Sequence, residues 1–148
     1  MKDEIAKRRH RMAGFTLLEI MVVVVIIGLL AAMIAPAVVG NLDKAAITRA
    51  KQDIRVIESS MTQFRLTHFR YPTQDEGLRI LLGGRSGVNN QEFDRYIERL
   101  PVDPWGNEYL YDADGQHDKD YDVYTYGADG EEGGEGVDAD IGNWNLDQ

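Results

Sequence analysis

Across residues 15–39 the chain carries one ionisable side chain, Glu19. A helix of that length, at ~1.5 Å per residue, spans roughly 37 Å, against a bilayer hydrocarbon core of ~30 Å. Val22, Val23, Val24, Val25, Ile26 and Ile27 are all β-branched. In water they weaken a helix, but in lipid the backbone must satisfy its own hydrogen bonds and helix is the only single-segment solution. The stretch therefore dictates a membrane-spanning helix, and the chain beyond it reads as one small soluble domain.

Charge orients the span. Residues 1–14 hold Lys2, Lys7, Arg8, Arg9 and Arg11 against Asp3 and Glu4, a net of +3, whereas the whole 148-residue chain carries −9, leaving −12 for the rest. Positive charge ahead of the span keeps residues 1–14 in the cytoplasm and sends the C-terminus outward. So acidic a soluble part argues against nucleic acid as a partner, because phosphate binding needs clustered Lys and Arg. It is compatible with a bound cation. The absence of cysteine excludes disulfides, thiolate nucleophiles and zinc–thiolate sites.

Three readings of the N-terminus compete. A cleaved secretory signal has a shorter apolar core and a small-residue cleavage site, which Ala35-Pro36-Ala37 reproduces poorly. A plain signal anchor explains length and orientation but leaves Gly14, Phe15 and Glu19 without a role. The third uses all of them: a basic leader ends at Gly14, and cleavage there frees the amine of Phe15 one helical turn before Glu19. A carboxylate in an apolar span is costly and usually faces a partner. Glu19 either snorkels to the interface or pairs with the Phe15 amine of a neighbouring copy, which sets axial register. Gly28 and Pro36 lower helix propensity within the run and read as residues tolerated in lipid.

Beyond the span, Ile47, Ala50, Ile54, Ile57, Met61, Phe64 and His68 step by three and four, a continuous apolar stripe on one helical face. The two segments read as one helix over residues 15–69, with Pro36 as the place for a kink and an end near Arg70, ahead of Tyr71-Pro72. His68 reads as a packing residue. Thr73-Gln74-Asp75-Glu76 has the spacing of a capping box and opens a short helix stopped by Gly83-Gly84. Residues 85–90 read as a loop and residues 93–100 as a helical turn. Asp103-Pro104-Trp105-Gly106-Asn107 is a turn. Strands are expected over residues 109–111, 122–126 and 143–146. The fold class is α+β: a long helix, transmembrane and then amphipathic, packed on about three short antiparallel strands.

Gly14-Phe15-Thr16-Leu17-Leu18-Glu19-Ile20-Met21-Val22 resembles the N-terminal signal of the type IV pilin-like family. Arg70-Tyr71-Pro72-Thr73, Leu100-Pro101-Val102-Asp103-Pro104-Trp105-Gly106-Asn107, Tyr126-Gly127-Ala128-Asp129-Gly130 and Asp138-Ala139-Asp140-Ile141-Gly142-Asn143-Trp144 look like the major pseudopilins of type II secretion. The resemblance implies cleavage of the 1–14 leader by a prepilin peptidase that also N-methylates Phe15, an assembly helix over residues 15–39, and a periplasmic domain over residues 40–148. It further implies polymerisation with copies of itself, unwinding of the Gly28–Pro36 stretch as subunits pack, contacts with minor pseudopilins and an inner-membrane assembly platform, and work supplied by a cytoplasmic ATPase.

Residues 129–140 form an acidic, glycine-rich loop. Oxygen donors and flexible turns suit Ca²⁺, although neither the EF-hand nor the nonapeptide spacing fits. A solvated loop is the alternative. The resemblance implies one structural calcium, with Asp129 and Asp138 giving carboxylates, Tyr126 and Glu131 giving backbone carbonyls, and Asp140 as a further ligand. Asp112, Asp114, Asp118, Asp120 and Asp122 read as turn chemistry and surface charge. No nucleophile–His–acid set, P-loop or zinc signature is present, so no catalytic residue and no small-molecule substrate is expected. The function expected is a structural subunit of a secretion fibre; the alternative is a pilin for adhesion, motility or DNA uptake.

Overall fold

The computed structural model describes residues 14–85, 91–117 and 119–147, with backbone alone for residues 35–39. The chain divides into two units, Met1–Val39 and Gly40–Gln148. Helix α1, Leu17–His68, contributes to both and is helical through Gly28 and Pro36. In the first unit, Leu17–Ile34 has a mean hydropathy of 3.0 and none of it is buried.

In the second unit the amphipathic half of α1 is the core. Ala50, Ile54, Ile57, Met61 and Phe64 have no exposed surface. Leu81 and Val123 are equally enclosed, and Leu78, Ile80, Phe93, Tyr109, Tyr121 and Ile141 complete the cluster. Each large apolar side chain buried in this way contributes roughly 1.5–3 kcal/mol. His68 packs as expected: its ring lies 4.5 Å from that of Phe64 and 4.9 Å from that of Phe93, and its Nε2 meets the Tyr96 hydroxyl at 3.0 Å.

The helix ends at His68, short of the expected Arg70. Phe69 adopts φ 56°, and its N–H reaches the Arg65 carbonyl at 2.7 Å. This left-handed cap, and not the proline, stops the helix. The capping box forms: Thr73 N–H donates to Glu76 Oε2 at 2.9 Å and Glu76 N–H to Thr73 Oγ1 at 3.4 Å. It closes one turn only. Gly77, at φ 55°, interrupts the expected helix, and a separate 3-10 helix spans Leu78–Leu82. Gly83 stops that helix as expected, its N–H bonding the Ile80 carbonyl.

The expected loop and helical turn after Gly84 are instead the arms of a hairpin, β1 (Gly84–Arg85) and β2 (Glu92–Phe93), paired antiparallel. Phe93 is drawn inward to stack on Phe64 at 5.7 Å, which leaves no apolar stripe for a helix there. Residues 86–90 of the expected loop lie outside the described residues. The main sheet has the order β3-β4-β5, from Leu110–Asp112, Asp122–Thr125 and Ile141–Gly142, all antiparallel. The third strand lies two residues before the expected 143–146. A Cβ on Gly142 would come within 2.2 Å of the Trp144 ring, so Gly142 alone lets the indole fold back over the strand, and residues 143–146 form turns.

The segment between α1 and the sheet is fixed by an ion pair. Arg70 donates from both terminal nitrogens to buried Glu76, at 2.7 and 2.9 Å. The hydrogen bonds from Arg70 hold the Glu76 carboxyl below the usual glutamate range. A lowered folded pKa stabilises above the unfolded value, and that contribution is lost as pH falls through the folded one. The Glu76→Gln chain should therefore be less stable than wild type to urea at pH 7. The difference should shrink steadily once pH drops below the ordinary glutamate range.

Candidate functional site

Two regions carry the functional expectations. At the N-terminus, Gly14, Phe15 and Thr16 precede the helix, and Phe15 is 81% exposed. Thr16 and Glu19 form a second capping box. Glu19 N–H donates to Thr16 Oγ1 at 3.2 Å, and Thr16 N–H donates to Glu19 Oε2 at 3.1 Å. The Thr16 hydroxyl also donates to that oxygen, at 3.3 Å. The signal for it is Thr-x-x-Glu, the same spacing as at Thr73, but here it is embedded in an apolar run that draws attention to its length. This box explains how a lone carboxylate is held at the head of an apolar helix: two local donors and the positive end of the helix dipole meet Oε2. Oε1 accepts no hydrogen bond among the described residues.

Among the described residues, nothing lies within 4 Å of where a Cβ on Gly28 would stand, so no contact there requires a glycine. Pro36 lies in helical backbone, and its side chain is outside the described residues.

The second region begins at the end of β4. Its foundation is Asp103, 2% exposed. Asp103 Oδ1 accepts from Trp105 N–H at 3.0 Å and Asn107 N–H at 2.7 Å, while Oδ2 accepts from the Thr125 hydroxyl at 2.6 Å. One buried carboxylate thus makes the expected turn and ties it to the end of β4. The acidic loop leaves β4 at Tyr126. Ala128 N–H donates to the Val137 carbonyl at 2.9 Å, pinning the two limbs together. The pinning requires close backbone approach, since a Cβ on Gly127 would stand 2.6 Å from the Val137 carbonyl oxygen. Asp129 and Asp138 lie on the opposed limbs, each one residue beyond that bond.

The expected ligands are used unequally. Asp129 Oδ1 accepts Glu131 N–H at 3.1 Å. Asp140 spends both oxygens on Gly133 N–H, at 3.1 and 3.0 Å. Asp138 takes part in none of these side-chain bonds. Among the described residues no three carboxylate, histidine or cysteine side chains converge as metal ligands. A cation held here would have to draw on backbone carbonyls as well as Asp129 and Asp138, and an oxygen-only donor set of that kind suits a hard divalent ion.

The other acidic group divides. Asp112 Oδ1 accepts Asp114 N–H at 3.0 Å, the expected turn chemistry. Asp122 is no surface charge: it is 2% exposed and its Oδ2 accepts Gln116 N–H and meets His117 Nδ1, both at 2.8 Å. Its burial comes from the preceding turn, whose Gln116 and His117 fold over it, since the core face of β4 is the one that carries Val123. Asp118 lies outside the described residues.

The chain matches the profile of type II secretion system (T2SS) protein G over residues 37–144 and that of the prokaryotic N-terminal methylation motif over residues 9–35. It is 47% identical over 140 residues to the type II secretion system core protein G of Pseudomonas aeruginosa, covering 93% of this chain and 98% of that one. Its identity to the Vibrio cholerae core protein G is 46% over 142 residues, with 95% and 97% covered. Among solved structures it is similar to the major pseudopilin from the type 2 secretion system of enterohaemorrhagic Escherichia coli. That likeness has a TM-score of 0.62 and 38% sequence identity, over 74% of this chain and 91% of that chain.

Proposed function

The chain belongs to the type II secretion system protein G family, and on that premise we propose that it is the major pseudopilin, a structural subunit that polymerises into a periplasmic fibre driving folded proteins across the outer membrane. One observation carries this reading. A single helix, α1, is fully uncovered over Leu17–Ile34 and fully enclosed at Ile54, Ile57, Met61 and Phe64. An uncovered apolar surface of that size needs lipid before assembly and other subunits after it. The basic residues 1–14 remain cytoplasmic and residues 40–148 periplasmic, with the helix in the inner membrane.

Processing prepares the head of α1. Removal of residues 1–14 frees the Phe15 amine and leaves the Thr16–Glu19 box intact, because the box uses the Thr16 N–H. The free Oε1 of Glu19 then pairs with the methylated amine of a neighbouring copy and sets axial register. Gly28 and Pro36, both of low helix propensity, mark the stretch that unwinds. Partners are further copies, minor pseudopilins, the inner-membrane assembly platform and the peptidase–methyltransferase. The role is not enzymatic, and neither nucleic acid nor a small-molecule substrate is involved. The alternative, a pilin for motility or DNA uptake, lacks a specific observation in its favour.

A deletion strain separates the two. It should lose exoprotein secretion and keep motility and DNA uptake. Complementation should restore secretion with a membrane-extracted protein that begins at methyl-Phe15. Retained secretion, or a protein that still begins at Met1, contradicts the reading.

Residues 129–140 hold one structural calcium, through the Asp129 and Asp138 carboxylates and the Tyr126 and Glu131 carbonyls. Asp140 either adds an oxygen or keeps the loop closed through Gly133. With no cysteine in the chain, a cation that binds only the folded loop is the available staple. Chelator should lower the melting temperature by several degrees, and Asp129→Ala or Asp138→Ala should abolish that dependence. A melting temperature indifferent to calcium contradicts it.

A further inference from the structure

Phe69 is out of place in a domain that acts alone. It holds the left-handed cap of α1 at φ 56°, a conformation that glycine adopts freely and a bulky side chain resists. Its ring is 91% exposed, more than any large apolar side chain of Leu17–Ile34. Leu66, one turn earlier, is 73% exposed. Backbone strain and bare aromatic surface thus meet at one residue, and neither stabilises the domain. Local rules broken in this way mark a residue kept for another purpose. The cations beside it are already engaged, Arg65 with Tyr71 and Arg70 with Glu76, so the tip of α1 offers apolar surface.

A groove of about 380 Å³ lies nearer the start of the domain, between α1 and residues 97–102. Val56 and Val102 line it while 52% and 48% exposed, with Leu100 and Pro101 between them. Arg49 and Arg99 flank it. A closed apolar cavity of ~150 Å³ already admits a benzene ring, so this groove has room for a phenylalanine side chain. A guanidinium group suits the face of that ring. Leu42 and Val56 also continue the apolar exposure of α1 beyond its membrane stretch, on one side of the helix and up to this groove.

Tip and groove cannot meet within one chain. At ~1.5 Å per residue, Phe69 stands roughly 20–30 Å along the helix from Val56 and Arg49. Copies anchored in one membrane all point the same way, so a pair of parallel copies can make the contact once only. Each copy then gives its tip to one neighbour and its groove to another, a head-to-tail arrangement that repeats without closing. A second copy is therefore the occupant that suits both surfaces.

We propose that Phe69 and Leu66 of one copy seat in the Val56–Val102 groove of another, with Arg49 and Arg99 against the ring, locking domains that are displaced by roughly 20–30 Å along α1. This contact rests on the reading of the chain as a fibre subunit.

The lack of cysteine in the chain makes crosslinking specific. Leu66→Cys and Val102→Cys are placed together in the full chain, and fibres sheared from cells are mildly oxidised. A ladder of covalent multiples of this one chain is expected, and neither substitution alone should give more than a dimer. Wild-type cells that yield no fibres overturn the subunit reading and the contact with it. Fibres from the double variant that give no ladder overturn the contact alone, as does a crosslink to a different protein. Phe69→Gly separates contact from structure, because glycine takes φ 56° without strain. Its urea midpoint should equal or exceed that of wild type. Its fibre recovery should fall at least about tenfold, the usual loss on truncating an aromatic interface anchor. Full fibre recovery in Phe69→Gly, or a fall matched by a lower urea midpoint, overturns the proposal.

Discussion

The burial of one face of α1 is the contact on which the rest depends. The residues at 50, 54, 57, 61 and 64 are wholly enclosed, and every short element of the domain is positioned by what it lays on them. Phe93 stacks on Phe64, the Tyr109 hydroxyl reaches Asp53 at 3.2 Å, and the Tyr96 hydroxyl meets His68. The strands themselves are two to four residues long. Strands so short have little stability of their own and persist because they are packed on a helix. Without a disulfide, this packing and the buried polar clamps at Asp103 and Glu76 hold the domain.

The same helix has the opposite character over Leu17–Ile34, where no described residue buries it. The division gives the protein its logic. A face that must be enclosed and a face that must remain open lie on one continuous element. At the open end, the capping box of Thr16 and Glu19 steadies the carboxylate inside its own chain.

Legibility in the sequence tracks the size of each signal. The helix was legible, because a 3.6-residue period repeated from Ile47 to His68 has few competing explanations. The capping box at Thr73 and the turn at Asp103 were, because their chemistry is local. The β1–β2 hairpin was not, because arms of two residues carry no period, and Phe93 is placed by a contact with Phe64 far away in sequence. The last strand was misplaced by two residues because its position depends on Trp144 folding over Gly142, a tertiary fit that alternation cannot reveal. In the candidate sites, the residue types announced a head group and an acidic loop. The sequence could not announce that Asp140 closes the loop through Gly133, or that Asp122 is buried under Gln116 and His117 while Asp114 and Asp120 are exposed.

The most direct test compares two residues on the same helix, in the intact chain. Phe64 has no exposed surface, whereas Leu66, two positions on, is 73% exposed. Phe64→Ala should lower stability to urea by about 3–5 kcal/mol, the usual effect of truncating an enclosed phenylalanine. Leu66→Ala should change it by about 0.5 kcal/mol or less. Equal losses from the two substitutions would contradict the claim that the buried stripe of α1 holds the domain together.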